Sequence, residues 1–362
     1  EAAFEIAYEF GLITYDEYRR YYRRKYDELY VKKIESRYSQ NQKKKVVRKK
    51  VNPVIIHNVY QCMKDCCSLS EHHRLGLIRD RKIPLERIEQ DYFTCPTNWR
   101  QKDTIIARIK EKYPAYTDEI LMNIPGFFYD KKRGKLSFTG HKGLGILIRN
   151  SDSRIVAIQI RKDTIQEGDS RYIWFSSSFA TYNPDEYNGG NGCGSPKDVC
   201  YPQMLKKHTL CITEGRFKSE KLTESGNISI SVQGVTSWHG IEETIEIHNV
   251  FIFFDADILG KHVLFMQSEK MIRKIQDEFP GLYIRYAFWS KKNGKGIDDC
   301  IIAGNISKVK YYEAKRAAEI CNDAYTHALG EYHIANLREL KQERAKEFED
   351  YLQILTESML GL

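Results

Sequence analysis

Between Leu205 and Asn305 the chain repeats one pattern, a short unbroken run of apolar residues followed by a helical stretch with a polar face. HTLCITEG is a strand closing on Glu214, RFKSEKLTESG a helix stopped by Gly226, and ISISVQG a strand. VFIFFDAD then runs as a strand into two aspartates, HVLFMQSEKMIRKIQDEF is an amphipathic helix, and LYIRYAFW a further strand. A strand that is apolar at nearly every position has no face to offer water, so it must lie in a sheet covered on both sides. Strands separated by helices are joined by crossovers, which makes that sheet parallel. The segment is therefore expected to be α/β, a doubly wound parallel sheet, whose functional residues collect beyond the carboxyl ends of the strands.

Glu214, Asp255 and Asp257 stand at such ends, and Asp298 and Asp299 lie in the loop after the last of these strands. Carboxylates brought close together repel and raise one another's pKa unless a cation neutralises them. Three or four convergent acids therefore point to a divalent ion, and Mg2+ fits best because it takes a few carboxylates and completes its shell with water and substrate phosphate. A single aspartate after a strand can equally cap the next helix; the full set in one sheet is harder to explain that way.

The rest of the chain divides by composition. Residues 1–54 form a basic, tyrosine-rich helical extension: YDEYRRYYRRKYDELYVKKIESRY interleaves rings and cations before the cluster Lys43–Lys50. It reads either as an arm for nucleic-acid phosphates with stacking aromatics or as a solvated helix whose tyrosines pack on a neighbour. Residues 55–125 form a helical subdomain, in which Ser70 caps a helix to about Arg81 and Pro84 opens another through Glu89. Cys62, Cys66, Cys67, His72, His73 and Cys95 contain no CxxC pair, so packed thiols are expected there rather than a zinc ribbon. Residues 126–204 are β-rich and basic. Ile146–Arg149 and Ile155–Arg161 flank the turn NSDS as a hairpin, expected to deliver Arg149, Arg161 and Lys162 near one end. Residues 306–362 are lysine- and glutamate-rich helix.

With 362 residues, 41% hydrophobic content and no run of eighteen apolar residues, the chain is expected to be free of membrane spans. Nine cysteines without disulfide-like spacing suit a reducing, cytoplasmic setting. A start at Glu1 leaves room for a longer polypeptide, and the net charge of +8 is a mild bias toward polyanions.

TEG at Thr213–Gly215, DAD at Asp255–Asp257 and GKGIDD at Gly294–Asp299 resemble the Toprim domain of bacterial-type primases, topoisomerases and some nucleases. GLGILIRNSDSRIVAIQIRKD with RYIWFSSS resembles the basic subdomain of the bacterial (DnaG-like) primase core. LSEHHRLGLIRDRKI resembles the helical element that precedes this core in primase-like proteins of plasmids, phages and integrative elements. The resemblance spans Val59 to about Asn305. It implies a Toprim domain at 205–305, with Glu214, Asp255 and Asp257 as catalytic metal ligands for Mg2+ or Mn2+ and Asp298 as an outer acid.

The implied activity is RNA primer synthesis on a single-stranded DNA template, with nucleoside triphosphates as substrates and a replicative helicase or other mobile-element proteins as partners. Arg149, Arg161, Lys162, Lys218 and Lys295 are the candidates for triphosphate or template phosphate, since guanidinium forks match phosphate oxygens. Two positions depart from the bacterial pattern: Lys218 stands where an aspartate follows the glutamate by four residues, and Gly296 follows Lys295 where an aspartate is usual. The alternatives are a Toprim nuclease, which would not need the basic hairpin; a topoisomerase, which would need a tyrosine nucleophile in a separate domain; and a non-catalytic accessory protein that holds single-stranded DNA.

Overall fold

The structure, a computed structural model, describes residues 51–166, 168–206, 208–234, 247–337, 340 and 342–362. The tyrosine-rich segment and the Lys43–Lys50 cluster fall outside these residues. The first helices begin where the sequence supplies caps. At α1 (Pro53–Asp65) the Asn52 side chain accepts from the Val54 amide, with proline in the first turn. At α2 (Glu71–Leu75) Ser70 accepts from the His73 amide. The helix expected to reach Arg81 continues past Leu75 as a wider π-turn over Gly76–Asp80. Pro84 then opens α3 (Leu85–Asp91), which runs straight into β1 (Tyr92–Thr94). After α4 (Trp99–Lys112) and α5 (Asp118–Leu121), β2 (Phe127–Asp130) and β3 (Lys135–Phe138) pair antiparallel.

The predicted hairpin is β4 (Gly143–Arg149) and β5 (Ile155–Lys162), flanked by β1 and by β6 (Tyr172–Trp174) in the order β1-β4-β5-β6. Its register pairs Gly143 with Lys162 and Arg149 with Ile155. β7 (Tyr187–Asn188) closes a small sheet of order β3-β2-β7.

The larger sheet begins at β8 (Asp198–Cys200) and β9 (Thr209–Glu214), followed by α6 (Arg216–Thr223), β10 (Ile228–Val232), β11 (Asn249–Phe253) and α7 (His262–Glu278). β12 (Tyr283–Phe288), α8 (Ile297–Ile302), β13 (Lys310–Glu313), α9 (Ala314–Glu331) and α10 (Gln342–Met359) complete it. The strand order is β13-β12-β11-β9-β10-β8. The four inner strands are parallel, and each edge strand is antiparallel, a common finish for such sheets.

Successive residues of β9 serve opposite cores: Leu210 and Ile212 pack with Phe265 and Ile275 of α7 and Ala317 of α9, while Cys211 packs with Leu222 of α6 and Cys300 of α8. Burying each such leucine or isoleucine contributes roughly 1.5–3 kcal/mol, which explains why these strands are apolar at consecutive positions. Among the described residues no helix is long and apolar enough to cross a membrane.

The two larger sheets are joined through α6. Arg216, 4% exposed, donates to Glu220 at 2.8 Å, to Asp198 of β8 at 3.0 Å, to the Leu147 carbonyl of β4 at 3.1 Å and to Asp91 of α3. Arg149 donates to the same Asp91 at 2.7 Å. Phe217, next in the chain, enters the core beside Tyr92, Leu144 and Ile146, its ring parallel to that of Tyr92 at 6.0 Å. Burial pushes the Asp198 and Glu220 carboxyls up, and Arg216 opposes the shift at each.

Replacing Arg216 with methionine would leave Asp91, Asp198 and Glu220 buried without their principal cation. The expected cost is about 3–5 kcal/mol, read as a large drop in the urea midpoint. A midpoint unchanged by Arg216→Met would mean that the two sheets are held together by apolar packing alone.

Candidate functional site

Glu214 ends β9 and Asp255 follows β11, the neighbouring parallel strand, in a register that pairs Phe253 with Thr213. The two acids therefore emerge side by side at the carboxyl edge. Gly215, at φ 86°, lets the chain turn from β9 into α6 within one residue, a conformation that disfavours any side chain. Asp257 lies two residues past Asp255, and Asp298 projects from the first turn of α8. Asp298 and Asp299 differ in burial: Asp299 accepts from the Gly296 amide to cap α8, at 3.3 Å, whereas Asp298 is 3% exposed, and both line the cleft.

Every one of these aspartates has a cation of the same chain beside it. Lys218 donates to Asp255, and Lys261 to Asp257 at 2.7 Å. The Lys295 ammonium stands 3.9 Å from Asp255 and 3.7 Å from Asp257, and Arg81 donates to Asp298 at 2.8 Å. Burial would raise the Asp257 carboxyl, but the Lys261 hydrogen bond and the charges of Lys261, Lys295 and Lys291 outweigh it and hold the group low. Asp298 moves the other way, because burial and the neighbouring Asp299 outweigh Arg81 and Lys218.

The donors are carboxylate oxygens, the type a hard divalent cation takes, although among the described residues it is His72, His73 and Asp163 that bring three candidate ligand atoms within 4.8 Å of one another, and Glu214, Asp255 and Asp257 do not. Lys295 already places one positive charge between Asp255 and Asp257. The two departures from the bacterial pattern prove to be coupled. A side-chain carbon on Gly296 would collide with the Asp298 carboxylate and stand 2.9 Å from Cε of Lys218, so the lysine fills space that an aspartate at 296 would need.

Across from this edge, a cleft of about 470 Å3 is walled by Glu214, Lys218, Asp255, Lys295 and Asp298 on one side and by Gln159, Arg171 and Tyr172 of the hairpin sheet on the other. The Gln159 side chain donates to Gln233, just past β10, at 2.8 Å, bridging the two walls. Gln159, Arg171, Tyr172 and Arg81 lie within the stretches that carry the resemblance but are not among its candidate site residues; the hairpin register brings the first three to the acids, and the π-turn that ends at Asp80 brings Arg81.

That register also corrects one expectation. In an antiparallel hairpin the last residues of the two strands lie at opposite ends, so Arg149 sits by the turn while Arg161 and Lys162 sit at the open end. Arg149 is taken up by Asp91 and the Ser153 carbonyl and does not line the cleft. Arg161 pairs in register with Tyr172, a cleft residue.

Of the cysteines singled out in the helical region, Cys62, Cys67 and Cys95 are buried in one core, where burial pushes Cys62 up to about 11 and Cys67 up to about 12, whereas Cys66 is exposed. His73 is held between the Thr94 hydroxyl and Asp163, each at 2.8 Å. His72, His73 and Asp163 form a group, separate from the acidic edge, whose candidate ligand atoms lie within 4.8 Å of one another.

No protein-family model and no curated protein matches the chain. Among solved structures, the RNA polymerase domain of the Mycobacterium tuberculosis primase DnaG aligns with a TM-score of 0.50 at 13% identity, over 76% of this chain and 87% of that one. A DNA primase domain from Pseudomonas aeruginosa aligns at 0.48 and 13%, over 83% and 99% of the two chains. The zinc-binding and RNA polymerase domains of the Aquifex aeolicus primase align at 0.47 and 11%, over 99% and 84%. At such identities the likeness is one of fold, and it rests on the mycobacterial domain: this chain has the fold of the RNA polymerase domain of bacterial primases.

Proposed function

We propose that the chain is a primase-type nucleotidyltransferase that joins nucleotides on a single-stranded DNA template. The observation that carries this reading is the cleft itself, where Glu214, Asp255 and Asp298 face Arg171, Tyr172 and Gln159 of a second sheet. A nuclease could use the same acids, but it has no need of the hairpin sheet that faces them with Arg171, Tyr172 and Gln159.

Glu214, Asp255 and Asp257 would hold Mg2+ or Mn2+, which when bound activates the attacking 3′-hydroxyl and offsets charge on the triphosphate. The remaining work falls to the chain's own groups. Lys218 and Lys295, now neutralising Asp255, can turn their ammoniums to triphosphate oxygens. Arg171 offers a guanidinium fork from the opposite wall, and the Gln159–Gln233 bridge fixes the width of the gap. The motif order of the mobile-element branch supports replication of such an element as the setting, with a helicase or further element-encoded proteins as partners.

A second reading has its own support. Because Lys218, Lys261, Lys295 and Arg81 already balance the aspartates, the site can persist as a neutral, non-catalytic core in a protein that only holds single-stranded DNA.

Primer synthesis on single-stranded DNA with labelled nucleotides and Mg2+ or Mn2+ separates the two readings. Product is expected from the wild type and a loss of at least about 100-fold from Asp255→Ala; no product under either metal selects the accessory reading. Lys218→Ala is expected to raise the nucleotide KM or lower kcat while stability shifts by less than about 1 kcal/mol, since a partly exposed pair contributes little to folding. A variant that loses stability and polymerises normally would make Lys218 a structural counter-ion only.

A further inference from the structure

Ser70 caps α2, and the two residues that follow Glu71 are both histidines. Neighbours on a helix point about 100° apart, so one of the pair turns inward and the other stays in water: His73 is 6% exposed, and His72 is exposed. Their ring centres nevertheless stand 5.2 Å apart. Asp163, just past the end of β5, reaches the same place from the hairpin, ninety residues from His73 in the chain, with its Oδ1 2.8 Å from His73 Nε2. One ligand atom from each of the three residues falls within 4.8 Å of the other two.

This is more than a buried histidine with a carboxylate partner. His73 is held from behind, where Nδ1 meets Thr94 Oγ1 at 2.8 Å and Ser70 Oγ at 3.0 Å, which fixes the ring and turns Nε2 toward Asp163. A hydrogen bond at the far nitrogen is how proteins aim an imidazole at a metal. Among the described residues Asp163 has no lysine or arginine partner, and the adjacent Lys162 is taken by Asp169 at 2.6 Å. Its charge therefore has no permanent counter-ion among them. His72 has no hydrogen-bond partner among the described residues, and nothing in the bond between His73 and Asp163 calls for a second imidazole beside it.

We propose that His72, His73 and Asp163 form a binding site for a transition-metal dication of the Zn2+ class, with a fourth position open to water. Two imidazole nitrogens with one carboxylate oxygen suit Zn2+ and its first-row neighbours, whereas Mg2+ and Ca2+ prefer oxygen alone. Ligands on one tetrahedral ion stand roughly 3.3–3.5 Å apart, so His73 and Asp163 open slightly to admit it and the exposed His72 side chain closes by about 1 Å. Bound there, the ion ties α2 to the end of β5. The Lys162 amide donates to the Arg171 carbonyl at 2.9 Å, and Arg171 lines the cleft, so the tie also steadies the wall opposite the acids. The site itself stands whether or not the cleft polymerises nucleotides.

The test uses the full chain without a histidine tag, freed of metal, in a reducing buffer that does not chelate and with Mg2+ in excess. Zn2+ is titrated by calorimetry and Co2+, its spectroscopic stand-in, by visible absorption. One ion per chain is expected, with the absorption of nitrogen and oxygen ligands and no thiolate charge-transfer band. The melting temperature is expected to rise with Zn2+ concentration, because an ion that binds only the folded chain stabilises it by mass action. Thr94→Val, which removes only the hydroxyl behind His73, is expected to weaken binding roughly 10–100-fold. His72→Ala, which removes a ligand, is expected to cost more than that, and in EDTA to melt with the wild type because the side chain it removes is exposed. Asp255→Ala is expected to bind Zn2+ as the wild type does.

A wild type that binds neither Zn2+ nor Co2+ overturns the proposal, as does undiminished affinity in His72→Ala. A thiolate band would assign the ion to cysteines, and binding lost in Asp255→Ala would assign it to the acidic edge; either result overturns it as well.

Discussion

The arrangement of this protein depends on one buried guanidinium. Arginine keeps its charge wherever it is placed, so the interior around Arg216 must supply carboxylates, and they come from three places: Asp91 at the end of α3, Asp198 in β8 and Glu220 one turn along α6. Binding them draws the hairpin sheet and the six-stranded sheet onto the same helix. Because Arg216 follows Glu214 by two residues, the group that fixes the sheets against each other also fixes where the acidic edge meets its opposite wall. Burying so many charges is a poor source of stability; its effect is to make one relative placement of the sheets far better than any other.

The cleft that results has a distinctive charge balance. A bacterial-pattern site would carry further acids at 218 and 296, and here the first is lysine and the second glycine. The structure joins these changes physically, since Lys218 occupies the space a side chain at 296 would enter and directs its ammonium to Asp255. A fixed protein cation thus stands where extra acids would have called for another mobile one. Asp298, pushed up by burial, keeps Arg81 as its partner and so couples the acidic edge to the π-turn that ends the helical region.

Much of this was legible in residues alone. The consecutive apolar positions of β9 and β11 required a sheet covered on both faces, and the acids after β9 and β11 had to share its carboxyl edge. Ser70 and Pro84 started their helices where their chemistry places them.

What sequence alone left open depended on pairing and packing between distant segments. Arg149 and Arg161 both close apolar strands and look alike in the chain, yet the antiparallel register sends one to the turn and a buried ion pair and the other to the open end beside Tyr172. His73 and Asp163 stand ninety residues apart in the chain, and they meet only once α2 docks against the open end of the hairpin. Local sequence determined the elements and the edge where the acids stand, because apolar pattern and capping act over a few residues. Which cations face those acids was decided by tertiary structure, because a charge finds its partner through space, and register and packing set that distance.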